Sequence, residues 1–286
     1  VFITKFKICK KENYMPELPE IETVVNALKK IVTHKKIKNV YLGNKGLRRP
    51  FPVNFKEKVI GKTLGKPFRR AKYCLLPLEE KQWVLIHLGM SGQIRILNKK
   101  PVLSKHDHVM ISLTGGIYIM LTDPRRFGCL DLIQSNLHDN PSLKYLGPEP
   151  LTNSFNYNYL YNAIKNKKSV IKSILLDQKI IAGLGNIYVN EALYESRVSP
   201  RRLGKNISKK NIELIVNSIK EILEKSIKVG GTSLKDHIQP DGSLGYYKNE
   251  LLVYGKINHK CHFCGSRIKK INQSGRSSFY CPKCQR

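Results

Sequence analysis

From Glu20 onward, Ile21, Val24, Val25, Leu28, Ile31 and Val32 recur at helical spacing, which predicts one amphipathic helix directly after Pro16 and Pro19. The period then changes. Short runs rich in β-formers follow one another over 40–42, 59–64, 73–78, 83–88, 93–97, 109–113, 117–121 and 129–133, separated by Gly, Pro and Asn turns. Thr114-Gly115-Gly116 reads as a hairpin within this series, and the whole stretch predicts a β-sandwich or barrel. Beyond Leu146-Gly147-Pro148-Glu149-Pro150 the signals turn helical over 155–165, 170–176, 187–194 and 209–228, the last with Ile212, Ile215, Ile219, Ile222, Leu223 and Ile227 on one stripe. The pattern therefore predicts an α+β multidomain chain. A catalytic-sized β domain spans 15–146, a helical domain 147–255 and a small module 256–286. Within the helical part, the Gly- and Ser-rich segment at about 230–247 reads equally as a lid or a linker.

Charge narrows the partner. Lys and Arg number 51 against 21 Asp and Glu, a net +30 with pI near 9.9, the footprint of a polyanion binder. A lysine-rich surface set by a biased genome accounts for part of the same surplus, and the two readings are compatible. No apolar run approaches the roughly 20 residues of a membrane helix, so nucleic acid is the expected partner rather than a bilayer.

Four of the seven cysteines stand in two knuckles, Cys261-His262-Phe263-Cys264 and Cys281-Pro282-Lys283-Cys284, sixteen residues apart. That spacing fits a four-thiolate site for one structural Zn2+, closed to water and hence without chemistry of its own. His262 is a less favoured substitute ligand. Cys9, Cys74 and Cys129 read as ordinary thiols. Between the knuckles Arg267, Lys269, Lys270 and Arg276 give a short hairpin the charge needed to reach a nucleic-acid groove. The Gly183-x-Gly185 turn is too short for a dinucleotide fingerprint; backbone N–H groups at the helix start beyond it suit a phosphate oxygen instead.

Met15-Pro16-Glu17-Leu18-Pro19-Glu20 carries two readings. On spacing alone the prolines open a helix. If Met15 were a trimmed start residue, Pro16 would be a free secondary amine able to attack an electrophilic sugar carbon, with Glu17 beside it as proton carrier. Residues 1–14 lack the apolar core of a secretory signal and are expected to lie upstream of the functional start.

Taken in order, Met15 to Glu22, Arg69-Arg70-Ala71-Lys72-Tyr73, His87-Leu88-Gly89-Met90-Ser91-Gly92, Lys105-His106-Asp107-His108, Thr122-Asp123-Pro124-Arg125-Arg126-Phe127-Gly128, Leu146 to Pro150, Gly183 to Tyr188, Gly230-Gly231-Thr232 and Tyr280 to Cys284 resemble bacterial formamidopyrimidine-DNA glycosylases. The resemblance runs from Met15 to Gln285. It implies a β-sandwich with an amino-terminal helix, a helix-two-turn-helix domain and a zinc-finger hairpin, with damaged duplex DNA in the cleft between the two large parts. The implied activity is bifunctional, a glycosylase for 8-oxoguanine and ring-opened purines coupled to an abasic-site lyase. Pro16 would attack C1′, Glu17 would protonate the opening sugar, Lys72 would serve the base and the first elimination, and Arg276 the second. Met90, Arg125 and Phe127 would fill the gap left by the extruded base. His106, Arg125 and Lys167 match DNA-contact positions, with Lys172 and Asn186 as further phosphate contacts. The segment at 230–247 resembles the one that covers the flipped base.

Leu18 and the Asp-Pro-Arg-Arg-Phe run favour this family over the pyrimidine-directed endonuclease VIII group. A catalytically silent, zinc-containing DNA-binding protein is the reading from a different class, distinguished by the absence of strand cleavage. A monomer located in the bacterial cytoplasm, on the nucleoid, is the expectation for either.

Overall fold

The structure, a computed structural model, describes residues 15–232 and 247–286. Residues 1–14 and most of the segment read as base-covering lie outside the described residues. Helix α1 (Leu18–Val32) begins where the periodicity places it, with Glu17 as N-cap and its backbone N–H donating to Glu20 Oε2 at 2.8 Å. Its buried stripe is shared between two cores. Leu18 packs into the helical domain, while Ile21, Val24, Val25, Leu28 and Val32 pack into the sandwich.

Two four-stranded antiparallel sheets form that sandwich. One has the order β1 (Ile37–Leu42), β6 (Asp107–Leu113), β7 (Tyr118–Thr122), β5 (Gln93–Leu97); the other runs β2 (Phe68–Arg70), β3 (Tyr73–Leu78), β4 (Gln82–His87), β8 (Cys129–Ile133). Alternation sends Leu76, Val84, Ile86, Ile94, Ile111 and Leu121 into one shared core. The strand expected over 59–64 is not formed. Phe55 and Val59, four residues apart, instead bury on one side of a short helix, α2 (Phe55–Val59), and Gly61 at φ 87° follows its end. Only Thr63 makes an isolated bridge, to Lys36.

Four helices make the second core: α3 (Tyr157–Ile164), α4 (Ile171–Leu176), α5 (Asn186–Glu195) and α6 (Lys209–Lys228). Ile268, Phe279 and Cys261 of the terminal module join that same cluster. The module's hairpin pairs β9 (Lys269–Gln273) with β10 (Arg276–Tyr280). The sandwich is tied to the helical domain by Glu149, whose carboxylate accepts from Arg69 (2.5 Å), Arg70 (2.8 Å) and the Ala71 backbone N–H (2.6 Å). Ala71 sits in the left-handed region at φ 52°, and the turn it makes delivers Lys72 at the start of β3.

Candidate active site and DNA interface

A cavity of about 400 Å³ opens where α1, α5, the β2–β3 turn and the hairpin meet, lined among others by Met15, Glu17, Lys72, Met90, Asn186 and Arg276. Glu17 is buried at its wall. Its carboxylate accepts the N–H groups of Ile187 at 3.0 Å and Tyr188 at 3.5 Å, two of the free donors in the first turn of α5. The helix start that the glycine turn was expected to offer to phosphate is thus occupied by this carboxylate. Gly185 is obligatory there, because a Cβ would stand 2.2 Å from Glu17 Cδ.

Burial raises the Glu17 carboxyl to a pKa of about 7, with Lys72 and the two N–H groups pulling the other way and Glu20 adding to the rise. The Lys72 ammonium, also buried, is pushed below its usual value by desolvation, opposed by Glu17 and reinforced by Arg276. The Glu17 carboxyl is thus poised near neutrality, a condition for moving protons at physiological pH, and burial shifts Lys72 in the direction that favours its neutral amine. Glu20, equally buried, accepts Tyr188 Oη at 2.6 Å and the Thr232 N–H at 2.8 Å, and Tyr188 Oη lies 2.7 Å from Ser226 Oγ.

Opposite this wall, the loop after β7 presents Arg125 and Phe127 outward. Phe127 is 45 % exposed, with the Arg125 guanidinium 4.7 Å from its ring centroid. Buried Asp123 shapes the loop: Oδ2 accepts Gly128 N–H at 2.7 Å, and Oδ1 accepts Ser91 Oγ–H at 2.5 Å while Ser91 Oγ receives Arg125 N–H at 3.1 Å. Ser91 adjoins Met90, so one carboxylate links the segment that carries Met90 to the one that carries Arg125 and Phe127. Gly89, at φ 62°, admits Phe127's backbone so closely that a Cβ would meet its carbonyl carbon at 2.4 Å. His106 is half-buried beside this loop, its carbonyl accepting Asp123 N–H at 2.9 Å. Lys167 is exposed in the turn between α3 and α4, outside the cavity lining.

The hairpin supplies Arg276, exposed at the cavity rim, and is held from below by the helical domain. Lys172 departs from the expected surface phosphate contact. It is 1 % exposed and donates to Ser277 O at 2.7 Å and Ser278 Oγ at 2.6 Å, so its ammonium braces the hairpin. Desolvation, with the nearby Arg276 charge adding, lowers its pKa to about 7. Asn186 lines the cavity with its Nδ2 donating to Ser277 O at 3.1 Å. The ligand atoms of Cys261, Cys264, Cys281 and Cys284 all lie within 4.8 Å of one another, with Sγ separations of 3.8 Å for Cys261–Cys284 and 3.5 Å for Cys264–Cys281. A tetrahedron of zinc–sulfur bonds of about 2.3 Å has edges of about 3.8 Å, so the four thiolates fit one structural zinc.

Family models match the chain in three consecutive blocks. They are a formamidopyrimidine-DNA glycosylase N-terminal domain over residues 15–130, the H2TH domain of the same enzymes over 146–237, and the zinc finger found in FPG and IleRS over 258–286. A formamidopyrimidine-DNA glycosylase of Bartonella quintana is 43 % identical over 95 % of this chain and all of that protein. The chain belongs to the formamidopyrimidine-DNA glycosylase family. Solved members are similar in fold: a Lactococcus lactis FPG variant bound to a Fapy-dG containing DNA gives a TM-score of 0.88 at 34 % identity, covering 95 % of this chain and 100 % of that one. The MutM (FPG) protein of Thermus thermophilus gives 0.85 at 31 %, covering 94 % and 98 %.

Membership makes the supporting residues informative, because several escaped the sequence reading. Asp123, Ser91 and Glu149 lie inside the quoted motifs, yet nothing local marks them as organisers of the glycosylase cleft. Glu191, buried in α5, accepts the N–H groups of Leu252 (2.8 Å), Val253 (3.0 Å) and Tyr254 (2.7 Å), fixing the approach to the finger. His87 is a further case. It accepts Gly89 N–H on Nδ1 at 3.1 Å, and burial, with Lys72 and Arg48 adding, lowers its pKa to about 4, so the imidazole is neutral and its other nitrogen carries the proton. Among the described residues no helix is long and apolar enough to cross a membrane.

Proposed function

We propose that this chain repairs oxidised purines in duplex DNA as a glycosylase and abasic-site lyase, using Pro16 as nucleophile and Glu17, Lys72 and Arg276 as its proton-handling and charge-stabilising groups. The observation that carries the reading is the convergence of Glu17, Lys72 and Arg276 on one cavity, with Pro16 held between the lining residues Met15 and Glu17. The solved relatives include complexes with Fapy-dG containing DNA and with carbocyclic 8-oxo-G containing DNA, which sets the substrate class. The domain boundaries follow the same reading, at 146/147 and 255/256, and the bacterial cytoplasm, on the nucleoid, is the compartment it implies.

Attack needs the lone pair of a secondary amine, so the reacting form has Pro16 at its terminus; the N-terminal family match beginning at residue 15 supports this. The Pro16 nitrogen bonds to C1′ as the base departs with the glycosidic electron pair, and the N–H proton of the attacking amine passes to the departing base. In the same step Glu17 gives its proton to the ring oxygen, the C1′–O bond breaks and an iminium forms, so that excision is committed only when that proton is delivered. The iminium draws electrons from C2′; loss of that proton expels the 3′ phosphate, and a second elimination expels the 5′ phosphate. In its neutral form Lys72 accepts the C2′ proton, and Arg276 stabilises phosphate as it leaves; their shared lining of the cavity supports both roles. Met90, Arg125 and Phe127 occupy the vacated stack, while His106, Lys167 and Asn186 contact the backbone. Zinc, held by Cys261, Cys264, Cys281 and Cys284, keeps the hairpin in the shape that presents Arg276.

The pH profile tests the proton carrier. Glu17 holds its proton up to about pH 7, so the acid form is present below that pH and lost above it. Single-turnover excision of 8-oxoguanine is expected to fall about tenfold per unit above about pH 7.5. A rate that stays flat through that range would contradict the assignment of Glu17 as the acid.

A further inference from the structure

Tyr194 lies in the last turn of α5 and is fully buried. Its hydroxyl stands 3.2 Å from Cys261 Sγ and accepts the backbone N–H of His262 at 3.2 Å. With the oxygen accepting from His262, the O–H proton is directed to sulfur, and a metal-bound thiolate is an acceptor for it. The ring stacks on Phe263 with centroids 5.3 Å apart and planes inclined by 26°, and the Arg197 guanidinium lies 4.8 Å from the Phe263 ring centroid. One side chain of the helical domain therefore touches three consecutive residues of the first knuckle.

We propose that Tyr194 is a positioning residue of the zinc centre, its O–H bonded to the Cys261 thiolate so that zinc is retained through a helix of the DNA-binding domain. Outer partners of metal ligands orient the ligand and tune its donor strength, and losing one typically costs 10- to 100-fold in metal affinity. The same helix serves the cavity. Its first turn donates Ile187 N–H to Glu17, its middle accepts Phe279 N–H on Asn190 Oδ1 at 2.7 Å, and its last turn grips Cys261. These contacts lie three or four residues apart along α5, which gives the metal module and the catalytic wall a common support. The proposal concerns metal retention and stands apart from the excision reading.

Tyr194→Phe in the zinc-loaded full chain removes the O–H and keeps the ring. Zinc transfer to a chromophoric chelator is expected to quicken about tenfold. In the cobalt-substituted protein the thiolate-to-metal charge-transfer band is expected to move to lower energy, because a sulfur without its hydrogen bond is the better donor. A purely structural role of the ring would leave that band in place. Unchanged release overturns the proposal, and so does faster release with an unmoved band. If Tyr194→Leu quickens release while Tyr194→Phe matches the parent, the hydroxyl has no part in holding zinc and the proposal fails.

Discussion

Glu17→Gln abolishes base excision while leaving duplex binding close to that of the parent chain. Gln keeps one acceptor oxygen for Ile187 N–H at the 3.0 Å position, and the contact it sacrifices, Tyr188 N–H at 3.5 Å, is the longer one. The fold around α5 thus loses little. What is lost is titration, since an amide neither gives nor takes a proton at the opening sugar. General acid–base groups supply about 10²–10⁴ in rate, and excision is expected to fall by that factor. Removing a negative charge from a cavity that also holds Lys72 and Arg276 leaves phosphate binding intact or slightly tighter. Anisotropy titration with an 8-oxoguanine duplex and single-turnover excision on the same samples check both halves. Unchanged excision would remove Glu17 from the reaction.

Stripping zinc from the folded protein is expected to have the opposite profile, with DNA affinity lost before anything happens to the sandwich. Structural zinc contributes about 10–16 kcal/mol to the folding of small finger modules at neutral pH. Without it, the turns that carry Cys261, Cys264, Cys281 and Cys284 have only their own hydrogen bonds, and Arg276 loses its presentation. Lys172 and Asn186 lose the Ser277 and Ser278 partners that brace the hairpin. Duplex affinity should weaken by about a hundredfold, as expected when several phosphate contacts go together. The only tryptophan, Trp83, lies in β4 of the sandwich and reports on it separately. Its emission should stay constant through chelation. Intact DNA binding after complete metal removal would contradict this account of the finger.

How far the sequence shows these parts depends on the range of the physics that makes them. Strands 73–78, 93–97 and 129–133 and helix 209–228 were legible to the residue, because their periodicity is a local property. The four thiols were legible because a knuckle's spacing is set by its own turn. Phe68–Arg70 was not read as a strand, since two of its three residues are arginines whose charges Glu22 and Glu149 neutralise only in the folded chain. The 59–64 run misled because Val59 belongs with Phe55 on a helix too short to show a period. Glu17 stands out in the sequence as a candidate proton carrier, but its environment comes from Ile187 and Tyr188, some 170 positions away. Asp123, Glu149, Glu191 and Tyr194 act through partners of that kind, and a lone acidic or aromatic residue carries no local sign of them. Lys172 shows the reverse: a lysine in a DNA-binding domain suggests phosphate, whereas its burial gives it to Ser277 and Ser278.

Borohydride trapping on a duplex carrying 8-oxoguanine opposite cytosine tests the central claim most directly, comparing chain that begins at Pro16 with chain that retains the residues before it. Reduction fixes the iminium as a covalent adduct. The account predicts an adduct only when the Pro16 amine is free, and peptide mapping that places the DNA on Pro16. An adduct mapped to Lys72, or two forms that both bind the duplex and neither of which traps, would contradict it.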